Sequence, residues 1–207
     1  MTEAEMREQF CEIGRRCWQR GWVAANDGNF SVRLGENVFL VTPTGVSKGF
    51  MTPEMLLLVD SDCRALSNTG GKPSSELKMH MRCYRERPDI RAVVHAHPPA
   101  STAFAAARLP LDAPILSEFL MSLKEVPVAP YATPGTDEVP DSIAPLLPSH
   151  NAVLLANHGA VTLGETLMQA YYRLESLEHT AEIFLSARLL GGGVPLTPEQ
   201  AARLKAF

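Results

Sequence analysis

The chain has 207 residues, a formal net charge of −4 and 45% hydrophobic residues, which suits one large domain with a substantial core. No basic stripe or lysine-rich tail points to nucleic acid, and no stretch approaches the roughly 20 apolar residues of a membrane span. The N-terminal MTEAEMREQF is charged, without the apolar centre of a signal peptide, and Cys11, Cys17, Cys63 and Cys83 are scattered without CxxC pairing, so reduced thiols and a cytoplasmic location are expected.

In chain order, residues 3 to 20 are predicted as an amphipathic helix, with Met6, Phe10, Ile13, Cys17 and Trp18 on one stripe. NDGNFSVRL breaks it and leads into two strands, FSVRL and VFLVTPTG, joined by a glycine-containing turn. TPEMLLLVD reads as a short helix capped by Thr52, with Pro53 in its first turn. GGKPSSELKMHMRCYRERPDI, from Gly70, is a loop feeding a helix that stops before Pro88. A strand, RAVVHAH, and a helix, PPASTAFAAARL, follow. KEVPVAPYATPGTDEV is expected to be a strand with an active loop, and AVLLANHGAV a buried strand ending in a turn. Residues 165 to 190 are the longest predicted helix, ended by GGG. The pattern is mixed α/β, without repeats or a linker, and residues 1 to 207 are expected to form a single domain.

Chemistry concentrates in RAVVHAHPPASTAF. Side chains two apart on a strand project to the same face, roughly 7 Å apart, so His95 and His97 stand side by side, within reach of one metal ion. Two imidazoles do not complete a site, and the alternative is one core histidine beside one surface histidine. His158 in AVLLANHGAV is the best third ligand, because it too ends an apolar run, with Gly159 allowing a tight turn. Three neutral histidines with open positions describe a catalytic zinc site; a closed structural site more often uses cysteines.

Ser74 and Ser75 in KPSSE fall at a predicted helix start, where free N–H groups favour an anion such as phosphate. Plain capping is the competing reading. Glu76, in the first helical turn, is either a dipole-compensating surface residue or, beside a metal, a general base. NDGNFS and TPTGVSKG carry glycine with small polar neighbours and place backbone amides within reach of an anion. Lys48 offers a contact to an anionic substrate, although solvation in its turn is the expected reading. His80, one turn after Glu76, either flanks the site or, as expected first, belongs to the core or a helix face; His150 is assigned to a loop, and His179 to packing or an interface on the long helix.

Taken together and in this order, GNFSVR, TPTG, KPSSE, VVHAH, PYATPGT and NHG resemble the class II aldolase/adducin family over nearly the whole chain, nearest the L-fuculose-1-phosphate aldolase branch. The resemblance implies a three-layer α/β/α domain around a central, mainly antiparallel sheet. It also implies a homotetramer with active sites between adjacent subunits. By motif, His95, His97 and His158 match the zinc ligands. Glu76 matches the acidic catalytic residue, which also touches the metal when no substrate is bound. Asn29, Thr44, Gly45, Ser74 and Ser75 match phosphate-binding positions. The implied reaction is retro-aldol cleavage of a phosphorylated ketose to dihydroxyacetone phosphate and an aldehyde, with Zn²⁺ stabilising an enediolate. Two departures stand out. The segment before PYAT offers Phe119 where fuculose-phosphate aldolases carry a proton-donating tyrosine, and Pro134 replaces a phenylalanine of the YAT-x-GT loop. Dehydration, decarboxylation or epimerisation of a sugar phosphate on the same metal site is the alternative, although Glu76 stands where the related 4-epimerases carry aspartate. A non-catalytic adducin-like binding module is the third reading, which the intact three-histidine set disfavours.

Overall fold

The computed structural model describes residues 2–66 and 71–205; Gly70, where the predicted KPSSE loop was taken to begin, lies outside them. The elements in chain order are α1 (Glu3–Gln19), β1 (Asn29–Gly35), β2 (Val38–Val41), β3 (Leu57–Val59), α2 (Leu77–Glu86), β4 (Ala92–Ala96), α3 (Pro99–Ala107), α4 (Ser117–Ser122), β5 (Val128–Ala129), α5 (Glu138–Ile143), β6 (Ala152–Leu155), β7 (Gly159–Gly164), α6 (Leu167–Leu189) and α7 (Pro198–Lys205). Among the described residues the strands form one seven-stranded sheet in the order β3-β2-β1-β4-β7-β6-β5. Every neighbouring pair is antiparallel except β5 with β6.

Strand alternation sends one set of side chains to each face. Phe30, Val32, Ala92, Val94 and Ala96 pack with α1, α3, α4 and α6 into one core, through residues such as Phe10, Ile13, Phe104, Leu174 and Leu177. Phe39, Val41, Val93, Val153 and Val161 pack with α2 and α5 into a second core, through Leu77, Cys83, Val139 and Ile143. Helices thus cover both faces, giving the three-layer, mainly antiparallel architecture expected.

Three local readings are corrected. TPEMLLLVD is not a helix: a 3-10 turn at Pro53–Met55 gives way to β3, and Thr52 makes no side-chain capping bond. Leu57 and Val59 are fully buried while Leu58 is not, the alternation of a strand, and β-pairing to β2 outweighs the cap-like Thr-Pro start. AVLLANHGAV holds two strands, because Asn157 turns at φ +59° and β7 folds back on β6. Trp18 is 42% exposed and lies edge-on to Phe50, with ring centroids 5.1 Å apart, instead of joining the buried stripe. His179, given either to packing or to an interface, is exposed on α6, which sets aside packing within this chain. The four cysteines are free thiols, and no helix of the described residues is long and apolar enough to cross a membrane.

The topology gathers one set of loops at one end of the sheet. β4 runs antiparallel to both neighbours, so its C-terminal end meets the starts of β1 and β7, with Asn29 paired to His95 and Ala96 to Ala160. β2 is antiparallel to β1, so the TPTG segment emerges at the same end. An isolated bridge between Pro43 and Pro73 ties that segment to the approach to α2.

Candidate metal centre and active site

His95 lies on β4, on the face of Val93, and is fully buried beneath the start of α2. Its Nδ1 is 2.9 Å from the carbonyl oxygen of Ala160, so Nδ1–H donates to that carbonyl and Nε2 carries the lone pair. His97 follows the strand end, and its Nδ1 is 3.4 Å from Asp27 Oδ2. His158 arrives on the β6–β7 turn. The three ring centroids are 4.9, 4.8 and 4.9 Å apart, close to an equilateral triangle. One ring nitrogen from each residue lies within 4.8 Å of the others.

A divalent metal fits this donor set. The Nε2 atoms of His95 and His97 are 3.1 Å apart. His95 has already committed its proton to Ala160, and with the His97 proton on Nδ1 towards the Asp27 carboxylate, two lone pairs meet at a point that a cation can bridge. The carbonyl behind His95 and the carboxylate behind His97 are the partners that orient metal-binding imidazoles. Burial pushes the His95 imidazolium down to about 3 and also lowers His97. A neutral ring is the form a metal requires. Gly159 serves this packing and not, as read from the sequence, the turn: a Cβ there would sit 2.5 Å from His97 Cδ2 and 2.7 Å from Ala96 O.

Glu76 reaches the same point from above. It is the residue immediately before α2, not within its first turn, and makes no side-chain cap. Oε1 is 3.2 Å from His158 Nε2, and Oε2 is 3.6 Å from His95 Nε2 and 2.7 Å from Asn29 Nδ2. Burial alone would raise this carboxyl, but the imidazoles of His95 and His158 and the Asn29 amide hold it well below the usual carboxylate range.

Behind Glu76 stands a buried polar chain. His80 Nε2 is 2.6 Å from Asn29 Oδ1, His80 Nδ1 is 2.6 Å from Ser31 Oγ, and Ser31 Oγ is 2.7 Å from Tyr84 OH. The directions follow from the Glu76 end. Asn29 Nδ2 donates to the carboxylate, so Oδ1 accepts from His80 Nε2–H; Nδ1 accepts from the Ser31 hydroxyl, whose oxygen accepts from Tyr84. Every polar atom is paired, and His80 must be neutral. Burial lowers its pKa to about 4, against a smaller opposing effect of Glu76. Spacing after Glu76 leaves His80 either beside the site or in the core; the structure puts it in both, buried and tied to the site through Asn29.

A cavity of about 280 Å³ opens over Glu76, His97 and His158, and Asn29, Thr44, Ser74 and Ser75 also line it. Ser74 Oγ accepts the Glu76 N–H at 3.2 Å, a local turn bond ahead of α2 and not a helix cap, whereas Ser75 is exposed beside Gly135. Gly45 takes φ +73° in the TPTG turn, a conformation glycine adopts without strain. Asn29 is 3% exposed, its amide already committed to Glu76 and His80. Lys48, expected in solvent, is 1% exposed and lines the cavity. The local TGVSKG composition reads as a turn, whereas α1 and the loop before β1 fold over it. Phe119 lies on α4 in the core, 1% exposed, with its ring centroid 5.6 Å from that of Phe184.

The chain belongs to the class II aldolase/adducin family: the family model for the class II aldolase and adducin N-terminal domain matches residues 8–185. It is an enzyme of the metal-dependent class II aldolase type, a group that holds both aldehyde lyases and decarboxylases. A 3-oxo-tetronate 4-phosphate decarboxylase of Escherichia coli K12 is 37% identical over 187 residues, covering 88% of this chain and 87% of that protein. An L-fuculose phosphate aldolase of Methanococcus maripaludis is 36% identical over 175 residues, covering 84% of this chain and 93% of that one. Among solved structures, an L-fuculose 1-phosphate aldolase superposes with a TM-score of 0.90 at 29% identity, covering 100% of this chain and 97% of that one.

Proposed function

We propose that the protein is a zinc-dependent decarboxylase of a phosphorylated 3-oxo sugar acid of the 3-oxo-tetronate 4-phosphate kind, and not the fuculose-phosphate-like aldolase that the motifs first favoured. The observation that carries this is Phe119. It is packed into its own core, so that position brings no proton donor to a site. Aldol cleavage must move a proton on the departing aldehyde oxygen, which calls for a second acid–base group. Carbon dioxide departs without one. The relatives named as 3-oxo-tetronate 4-phosphate decarboxylases support the same choice.

The chemistry needs few parts. When the C1–C2 bond breaks, its electron pair moves into the C2–C3 bond and onto the C3 oxygen, leaving the enediolate of dihydroxyacetone phosphate. A divalent cation held by His95, His97 and His158 supplies Lewis-acid stabilisation of that negative charge. Glu76, over the same point and held as a carboxylate, takes a proton from water and passes it to C2 to complete dihydroxyacetone phosphate. Ser74, Ser75, Asn29, Thr44 and Gly45 form the phosphate cradle at the start of α2. Retro-aldol cleavage of a ketose 1-phosphate ends in the same enediolate, which is how one scaffold serves both reactions. The protein acts as a cytoplasmic homotetramer with its sites between subunits, residues 1–207 forming one domain.

The test supplies 3-oxo-tetronate 4-phosphate, generated in situ, and L-fuculose 1-phosphate to the zinc-loaded protein. Carbon dioxide and aldehyde are followed separately. Carbon dioxide release from the first, with little aldehyde from the second, is expected. Aldehyde release without decarboxylation would install the aldolase in its place. Glu76→Gln keeps the shape but removes the proton transfer, so it should retain zinc and lose roughly 10²–10⁴-fold in rate. Proton–deuterium exchange into dihydroxyacetone phosphate, run without a second substrate, should fall with it. A Gln variant that exchanges as fast as wild type would remove Glu76 from that role.

A further inference from the structure

Among the described residues two charged side chains are almost wholly buried, Lys48 at 1% exposure and Glu178 at 2%. Glu178 is accounted for by the fold: it accepts the Ala100 and Ser101 N–H groups, each at 2.8 Å, and the Ser101 hydroxyl at 2.6 Å, at the start of α3. Lys48 is not. Its Nζ donates to two neutral acceptors, Val46 O at 2.7 Å and Asn26 O at 3.0 Å. Among the described residues it has no carboxylate ion-pair partner, and one of its three N–H bonds is left over. Burying an ammonium without a counter-charge is costly, and a methionine of similar length would fill the space without that cost.

We propose that Lys48 binds the carboxylate of the substrate, making it the residue that selects a phosphorylated sugar acid over a neutral sugar phosphate. This rests on the decarboxylase reading for the identity of the acid, and on geometry for the site. Lys48 and Asn26 both line the cavity. Asn26 precedes Asp27, which is 3.4 Å from His97, so the ammonium belongs to the His97 side. Ser74 and Ser75 line the same cavity from the approach to α2. The cavity therefore offers the second anionic group of the substrate a buried cation besides those hydroxyls. Burial lowers the Lys48 ammonium to about 8, with Asp27 and Glu76 opposing, so it is still mainly charged at neutral pH.

Calorimetry on the zinc-loaded protein tests this with two unreactive ligands that share a phosphate, erythronate 4-phosphate and erythritol 4-phosphate. Wild type should bind the carboxylate ligand about 10–100-fold more tightly, the scale of one charge-assisted hydrogen bond. Lys48→Met should erase that preference while leaving erythritol 4-phosphate affinity unchanged, and Lys48→Arg should keep part of it. Equal binding of the two ligands by wild type, a measurement that needs no variant, overturns the proposal. So does a Met variant that weakens both ligands alike, which would assign Lys48 to the phosphate or to loop packing. A preference seen in a protein that releases no carbon dioxide would remove the decarboxylase and leave the carboxylate site standing.

Discussion

The two faces of the sheet are built from different chemistry. On the side of α1, α3, α4 and α6 the central strands present Phe30, Val32, Val94 and Ala96 to an apolar core. The few polar groups there, such as Thr162 on Ala170 O at 2.8 Å and Glu178 on the α3 amides, are satisfied by backbone or immediate neighbours. On the α2 side the same strands present Asn29, Ser31 and His95, and α2 answers with Glu76, His80 and Tyr84. One face is stable because it excludes water. The other is stable because its buried donors, the Arg33 Nε–H excepted, have their acceptors, up to the point where three imidazoles and a carboxylate converge on a cation site.

Exchanging damage between the faces should separate stability from function. His158→Ala leaves two imidazoles, so bound metal should fall from about one per chain to near none, with activity at background while the protein stays folded. Leu177→Ala, in the fully buried apolar core, should do the reverse, costing about 2–5 kcal/mol of stability while kcat per folded molecule stays unchanged. Metal analysis, thermal unfolding and turnover on both variants decide it. A His158 variant that retains stoichiometric metal would dissolve the distinction.

His80 sits between these extremes. His80→Phe would leave Asn29 Oδ1 and the Ser31 hydroxyl unpaired, and Asn29 would no longer fix Glu76. We expect kcat to fall about 10-fold, the scale of lost outer-shell support, with zinc content and phosphate-ligand affinity retained. A pH measurement isolates the histidine. Its folded pKa of about 4 lies below the ordinary imidazole value of 6.5, so the unfolded chain takes the proton first as pH falls. The stability this neutral histidine contributes is present above about pH 6.5 and lost towards pH 4, by about 3 kcal/mol in all. Wild type should therefore lose that much more than the Phe variant across the window. Equal slopes would mean that His80 is not held neutral by the fold.

How far the sequence reveals each face follows from what periodicity can encode. Strand alternation around VVHAH places His95 and His97 together, and NHG supplies the third imidazole, so the metal cluster is legible from spacing and a resemblance. The helix carrying Glu76 is legible because Pro88 stops it and polar residues open it. Lys48 and His80 were misplaced or under-read for a shared reason: each is defined by a partner more than 20 positions away, Asn26 O for the one and Asn29 for the other. Local composition describes a turn lysine and a helix histidine, and carries nothing about which loop folds over the first or which strand faces the second. β3 escaped for a related reason, since a three-residue strand is made by its pairing with β2 and not by any pattern of its own.

The smallest effect belongs to the far end of the polar chain and asks whether that chain transmits or only holds. Tyr84 is buried and donates to Ser31 Oγ at 2.7 Å, and its own ionisation is pushed up chiefly by burial. It therefore stays protonated under any working condition and has no proton to relay. The carboxamide of Asn29 interrupts the chain before Glu76, because it cannot pass a proton from Oδ1 to Nδ2 without tautomerising. Tyr84→Phe removes one donor and leaves the Ser31 hydroxyl still able to donate to His80. The expected cost is about 1 kcal/mol of stability, with kcat within about twofold of wild type, since the Ser31–His80–Asn29 order is kept. Unfolding and turnover measured on the same preparation give both quantities. A Phe variant that lost as much kcat as His80→Phe would show that the whole column, and not its Glu76 end, sets the rate.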